Sequence, residues 1–177
     1  MKFFSFFFVT CCLIFAQTEK QHKYIGVQKC GLCHKGKKIG AQYKLWQSRK
    51  HSQSYKALLS EKGIKLAESH GLGKASEAKV CLTCHAPAAL VDKKLFTKGF
   101  KIEHGVQCET CHGAGQHYRS MKIMKNKAKA IENGLVDFKD KAAIKALCVK
   151  CHKGDEHTGK FDFEKAWEQV KHPVPEK

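Results

Sequence analysis

Residues 108–112 of this chain are Cys-Glu-Thr-Cys-His, and the Cys-x-x-Cys-His spacing recurs at residues 30–34, 81–85 and 148–152. This pattern is typical of covalent haem c attachment. Its two thiols bond the two vinyl groups of one porphyrin, and the next histidine becomes the proximal iron ligand. Four copies predict four haem c groups, attached at Cys30, Cys33, Cys81, Cys84, Cys108, Cys111, Cys148 and Cys151, with proximal His34, His85, His112 and His152.

Zinc sites and disulfide bonds are the two alternative interpretations of these cysteines. Both leave unexplained why a histidine follows every second cysteine. The chain has ten cysteines, and all except Cys11 and Cys12 belong to the four motifs. Haem attachment therefore accounts for every cysteine beyond the apolar N-terminus and leaves no thiol for a zinc site or a nucleophile.

The N-terminus has the pattern of a secretory signal peptide. Lys2 precedes an apolar run of about 14 residues, which is short for a bilayer span, and polar residues follow from Gln17. We expect residues 1–16 to be the signal peptide, residues 17–177 to form one tetrahaem domain, and the protein to be periplasmic. A lipid anchor on Cys11 or Cys12 is an alternative that the preceding Phe-Val-Thr disfavours.

The chain is strongly basic, with 33 Lys and Arg against 16 Asp and Glu. One interpretation is simply a solvated surface. The other is electrostatic steering toward redox proteins with acidic docking surfaces, or peripheral contact with an anionic membrane. No nucleic-acid partner is expected, because no nucleic-acid motif is visible. The lysines cluster at Lys35, Lys37 and Lys38, at Lys93 and Lys94, and at Lys122, Lys125, Lys127 and Lys129.

The secondary-structure pattern predicts a mainly α fold with little sheet. Helix breakers are sparse over residues 41–59, 60–70 and 120–133, and apolar residues recur at helical spacing through 161–171. Asp140 is placed to cap a helix over residues 141–147. We therefore expect a small multihaem c-type cytochrome, with helices and loops wrapped around four closely packed haems that supply much of the apolar core.

The sixth iron ligands decide whether each haem is closed, which suits electron transfer, or open to a small molecule. Methionine is a minor option, because the chain has only three. Seven histidines remain outside the motifs: His22, His51, His70, His104, His117, His157 and His172.

Four stretches of the chain resemble the tetrahaem cytochrome c-554 family. The block over residues 105–115 is the most specific, with Ala114 where proline is usual in that family. The other three are Tyr24-Ile25-Gly26, the Trp46-to-His51 segment followed by Tyr55, and Phe161-Asp162-Phe163 through Trp167 to His172-Pro173.

This resemblance implies a set of sixth ligands. His51 would cap the third haem, His117 the first and His172 the fourth. In the best-known family member the second haem is open, which implies an open haem on Cys81 and Cys84. His104 is the residue expected to close that haem if it is not open, and His22, His70 and His157 are also available.

These observations together favour an electron-transfer protein rather than an enzyme. Two alternatives remain at this stage: a reductase of nitric oxide or another small nitrogen species that uses an open second haem, and a subunit of an extracellular haem filament. Binding of nitric oxide would favour the first alternative. Histidine ligands shared between subunits would favour the second.

Overall fold

The computed structural model describes residues 21–155 and 157–174, and the predicted signal peptide lies outside them. The described chain is mainly helical, as predicted. Tyr24 and Phe96 form an isolated parallel bridge, and no longer strand forms among the described residues. The α-helices are α1 Val27–His34, α2 Gln42–Gln47, α3 Ser54–Leu58, α4 Glu61–Ser69, α5 Lys79–His85, α6 Cys108–His112, α7 Met121–Met124, α8 Lys127–Glu132, α9 Lys141–Cys148 and α10 Phe163–Val170. Short 3-10 turns occupy Lys37–Ile39, Lys50–Gln53, Pro87–Leu90, Lys93–Leu95 and Ile102–His104.

Side-chain caps explain where several helices begin. The Ser60 hydroxyl accepts a hydrogen bond from the Gly63 N–H at the start of α4. Asp140 accepts from the Ala143 N–H at 2.8 Å, which confirms the cap predicted for α9. Asp162 does the same for α10 through the Lys165 N–H. In each case a short polar side chain satisfies an N–H that the first helical turn leaves without a partner.

The segment over residues 41–59 is not the continuous helix that the sequence predicts. Helix α2 ends at Gln47, Arg49 is extended, and His51 lies in the 3-10 turn before α3. The Ser52 hydroxyl bonds to the carbonyls of Gln47 and Arg49, at 3.0 and 2.8 Å. Serine hydroxyls that bond to nearby carbonyls compete with the helical pattern, so the absence of Gly and Pro did not suffice to keep the helix intact.

The lysine-rich stretch over residues 120–133 is also divided, into α7 and α8. Ser120 caps the first helix, and Asn126 is extended and accepts a hydrogen bond from the Lys129 N–H at 3.0 Å. Asparagine favours this capping role over a helix interior. The stretch is therefore helical as predicted, but with a break in its middle.

The protein core is small in side-chain volume. Six of the twelve buried apolar residues among the described ones are alanines. Leu58 and Leu82 are the large members of the main cluster, which joins α3, α4 and α5. Alanine contributes little apolar area on burial, so side-chain packing alone gives this chain a modest hydrophobic stabilisation. None of the helices in the described part of the chain is both long enough and apolar enough to cross a membrane.

Candidate haem-binding sites

Each motif lies on a helix or runs out of one. Helices α1, α5 and α6 end at His34, His85 and His112. Helix α9 ends at Cys148, and His152 follows in a turn where its N–H bonds to the Cys148 carbonyl at 3.0 Å. Residues three apart lie on the same helix face, so the two thiols of each of the first three motifs project to one side. This local arrangement follows from the spacing alone.

Three of the proximal histidines face a second histidine from a distant part of the chain. The ring centroids lie 6.2 Å apart for His51 and His152, 6.1 Å for His85 and His157, and 5.9 Å for His112 and His172. The planes of the two rings meet at 46° in all three pairs. The same arrangement therefore recurs at three different places in the fold.

These separations suit an iron atom held between two imidazoles. A metal–imidazole nitrogen bond is about 2.0 Å, and the nitrogen lies roughly 1.2 Å from its ring centre, which puts two opposed rings about 6.4 Å apart. Aromatic rings in direct contact also have centroids about 4.5–7 Å apart, so the separation is compatible with an intervening iron but does not by itself identify one. The residues present thus fit a six-coordinate haem at three of the motifs.

Two of the expected ligands lie opposite proximal histidines other than those that the resemblance implies. His51 faces His152 of the fourth motif, whereas the third motif was expected. His172 faces His112 of the third motif, whereas the fourth was expected. Which proximal histidine a distal residue faces depends on the tertiary path of the chain, because both distal residues are remote in sequence from either motif.

The other two expected ligands have different neighbours. His117 packs edge-on against His22, with ring centroids 5.0 Å apart, and its assignment to the first haem stays a prediction. His104 lies at 89° to the Trp46 ring, with centroids 6.3 Å apart, and its buried Nδ1 has no hydrogen-bond partner. It is His157, not His104, that the structure brings opposite His85.

Burial lowers the pKa of three of the paired histidines, His51, His112 and His172. Burial lowers the pKa of His112 to about 4, and the nearby His172 and His34 add to this effect. Burial and the adjacent His152 lower the pKa of His51, and burial lowers the pKa of His172. Neutral imidazole is the form that binds metals, so burial favours the ligand form of these three side chains.

The thiols of different motifs approach one another in two pairs. Cys30 of the first motif is within hydrogen-bonding distance of Cys108 of the third. Cys84 of the second is equally close to Cys151 of the fourth. Cys111 and Cys148 lie near enough for their charges to interact. The motifs therefore follow one another in space in the order first, third, fourth, second, which is not their order in the sequence.

A buried carboxylate, which the sequence analysis missed, fixes the first and third motifs together. Glu109 follows the first cysteine of the third motif and is 2% exposed. Its oxygens accept hydrogen bonds from the backbone N–H groups of Ile25 at 2.9 Å, Gly26 at 2.8 Å and Gly115 at 2.7 Å. Burial raises the pKa of this carboxyl, and the three N–H donors oppose that rise. The contacts attach the chain just before α1 to α6.

Ser54 joins the second motif to the turn that holds His51 and to the segment before the third motif. Its hydroxyl lies 2.8 Å from the carbonyls of both His51 and His85 and accepts from the Val106 N–H at 2.9 Å. Its own carbonyl accepts from His85 Nδ1 at 2.7 Å. A carbonyl on Nδ1 fixes the tautomer and directs Nε2 toward a metal. In the sequence, the only signal for this contact of Ser54 with His85 is that Ser54 lies close to His51.

Comparison with known proteins yields one match. The family model described as cytochrome c554 and c-prime matches residues 29–113, which include the first three motifs, His51 and Glu109. No curated protein and no solved structure matches the chain. Within the described residues, no three His, Cys, Asp or Glu side chains form a group that could hold a bare metal ion.

Proposed function

Because the segment from residue 29 to residue 113 belongs to the cytochrome c554 and c-prime family, we propose that the whole chain is an exported electron carrier with four haem c groups. The family match over residues 29–113 supports an electron-transfer cytochrome with covalently bound haem c. Four haems, the periplasm, and a domain over residues 17–177 are the finer parts of the proposal. The observation that carries it is the recurrence of opposed histidine rings about 6 Å apart.

The protein residues have two tasks in this proposal. Cysteine thiols would attach each haem, and pairs of histidines would close the irons of the first, third and fourth motifs; haem iron, when bound, supplies a one-electron ferric–ferrous couple. His152 with His51 and His112 with His172 are two of these pairs, and His34 with His117 is proposed as another. Fixed pairs of ligands keep the change in structure small between the two oxidation states, which favours fast electron transfer.

The order of the motifs in space supports a continuous route. Cys30 and Cys108, Cys111 and Cys148, and Cys84 and Cys151 interact in pairs, so each motif has a neighbouring motif in this order. Electron tunnelling weakens steeply with distance, so a route needs close neighbours. The proposed route runs from the first motif through the third and fourth to the second.

The first motif is the proposed docking end for an acidic redox partner. Cys33 is exposed, whereas the other seven described cysteines are partly buried. Lys35, Lys37 and Lys38 follow this motif directly, and all three are exposed. A positive surface beside an accessible attachment site would steer an acidic partner toward the haem edge and raise the rate of encounter.

Intact-mass measurement of the mature, exported protein tests the haem count. We expect four haem additions and an N-terminus near residue 17. Replacing both cysteines of one motif, for example Cys148 and Cys151, should remove a single haem addition. Two or fewer haems in the unaltered protein, or stoichiometric zinc, would contradict the proposal.

Reaction with small redox reagents tests the docking end. Oxidation of the reduced protein by anionic ferricyanide should slow when Lys35, Lys37 and Lys38 are replaced by glutamine, and oxidation by a cationic cobalt complex should not slow. Replacement of Lys122, Lys125 and Lys129 by glutamine removes the same charge elsewhere and is the matched control. Equal slowing by both triple replacements would show that only net charge matters.

A further inference from the structure

The resemblance to the family implies that the second haem is open. In the structure, however, the proximal histidine of the second motif faces another histidine ring. His85 and His157 have ring centroids 6.1 Å apart and planes at 46°. The other two opposed pairs have centroid distances of 6.2 and 5.9 Å and the same angle. If the latter two pairs are ligand pairs, the geometry gives no ground for treating His85 and His157 differently.

His85 is oriented to present one particular nitrogen. Its Nδ1 lies 2.7 Å from the Ser54 carbonyl, so Nδ1 carries the proton and Nε2 is the nitrogen left for a metal. The Ser54 hydroxyl also lies 2.8 Å from the His85 carbonyl. One residue of α3 therefore holds both the ring and the backbone of His85.

His157 lies in a tight turn whose polar groups bond to one another. Asp155 Oδ1 accepts from the Thr158 N–H at 2.8 Å and from the Thr158 hydroxyl at 2.7 Å. The Gly159 N–H closes the turn on the Asp155 carbonyl at 2.7 Å. Hydrogen bonds between the side chains and backbone of the turn fix its backbone conformation. The backbone of His157 is therefore held in place although this residue lies at the surface.

We propose that His157 is the sixth ligand of the haem on Cys81 and Cys84, so that this haem is closed and transfers electrons without binding a small molecule. The proposal rests on the proposed function, since it requires a haem at the second motif. It goes against the open second haem that the resemblance implies. It also removes the open iron site on which a nitric oxide reductase would depend.

Electron paramagnetic resonance of the oxidised protein and carbon monoxide titration of the reduced protein test this ligand. The unaltered protein should show only low-spin iron and bind no carbon monoxide. His157→Ala should give one high-spin iron and one carbon monoxide site per chain, and added imidazole should restore the low-spin signal. His70→Ala replaces another exposed histidine, whose Nδ1 bonds to the Leu66 carbonyl, and should change neither measurement.

Several outcomes would overturn the proposal. Carbon monoxide binding by the unaltered protein at one site per chain would show an open haem, provided that His157→Ala adds no second site. A new site created by His104→Ala and not by His157→Ala would assign the ligand to His104. If His157→Ala does not accumulate, His157→Met should keep all irons six-coordinate and change the reduction potential of one haem, and unchanged potentials would exclude His157.

Failure of this proposal is distinguishable from failure of the proposed function. Intact mass reports whether the second motif carries haem, independently of its sixth ligand. Four haem additions with an open second iron would refute the role of His157 and leave the electron carrier intact. Absence of haem from Cys81 and Cys84 would refute both.

Discussion

The third and fourth motifs share one spacing but are held in the protein by different contacts. In the third, Glu109 follows the first cysteine, is 2% exposed and accepts three backbone hydrogen bonds. In the fourth, Val149 holds the same position and is 42% exposed. Around the fourth motif, the Phe161 ring stacks on His152, and Lys141 of α9 forms an ion pair with Glu164 on the surface.

This difference shows that the variable residues of the motif decide how much the protein itself contributes to the site. The cysteines and the histidine serve the haem in both motifs. Glu109 ties α6 to the chain before α1, so the third motif has a polypeptide framework that does not depend on haem. Among the described residues, no buried carboxylate is hydrogen-bonded to the fourth motif. We therefore expect more of its order to come from attachment of its haem and from the proposed ligation by His51.

Replacement of Glu109 should have the largest effect on stability. Glu109→Ala leaves three buried N–H groups without an acceptor, at a total cost of about 3–9 kcal/mol, because each unsatisfied group costs about 1–3 kcal/mol. Glu109→Gln retains one acceptor oxygen and should cost less. The measurement is the urea midpoint of the haem-loaded protein.

Val149→Ala is the matched control, because it alters the same motif position where the side chain is exposed. It should change the stability by less than about 0.5 kcal/mol. Similar shifts in midpoint for Glu109→Ala and Val149→Ala would remove the distinction between the two motifs.

Gly26→Ala should have the second-largest effect, since Gly26 donates to Glu109 from a backbone conformation that requires glycine. Its φ is +84°, and an added Cβ would lie 2.2 Å from the Gly99 carbonyl oxygen. The expected loss of stability is about 2–4 kcal/mol. Gly73 also has a positive φ, of +65°, but an added Cβ there meets nothing within 4 Å. Gly73→Ala should therefore cost only about 1 kcal/mol, and an equal cost at both positions would exclude the close approach to Gly99 as the cause.

The parts of the fold that the sequence predicts well are those set by local contacts. Asp140 and Asp162 begin helices α9 and α10 because an aspartate oxygen reaches an N–H three residues on. The interruption at Arg49 was not predictable by counting helix breakers. It depends on the Ser52 hydroxyl and on the attachment of Trp46 Nε1 to the Val106 carbonyl at 2.8 Å, which lies far along the chain.

The candidate site also has features that the sequence predicts and features that depend on contacts between distant segments. The thiols and proximal histidines follow from the motif, whereas the partners of His51 and His172 depend on how distant segments meet. The resemblance implies that both residues are ligands, with His51 on the third haem and His172 on the fourth, whereas the rings that they face belong to the fourth and third motifs. Glu109 had no cue in the sequence, because a carboxylate in a helical motif is ordinarily exposed and only the fold buries it against Gly26 and Gly115.

Replacement of Phe161 should have a smaller effect, and one confined to the fourth motif. The Phe161 ring stacks on His152 with centroids 4.9 Å apart and planes at 15°. Phe161→Leu keeps apolar bulk but loses the stacking, at about 0.5–1.5 kcal/mol, and the reduction potential of the haem on Cys148 and Cys151 should change. Phe96→Leu is the control, because Phe96 stacks on Phe100, away from any motif histidine, at 4.2 Å. A potential that changes in the control and not in Phe161→Leu would contradict the role given to this ring.

Removal of the ion pair between α9 and α10 should have the smallest effect of all. Lys141 Nζ lies 2.8 Å from Glu164 Oε2, with side chains 60% and 67% exposed. Exposed pairs contribute little because water screens them and two long side chains lose freedom, so Glu164→Gln should cost less than about 0.5 kcal/mol. Glu61→Gln removes a comparable exposed pair with Lys65 in α4 and should give the same small shift in urea midpoint. A loss above about 1 kcal/mol for Glu164→Gln alone would show that polar contacts do hold the fourth motif in place. The contrast with Glu109 would then be one of degree, and the dependence of this region on its haem would be weaker than proposed.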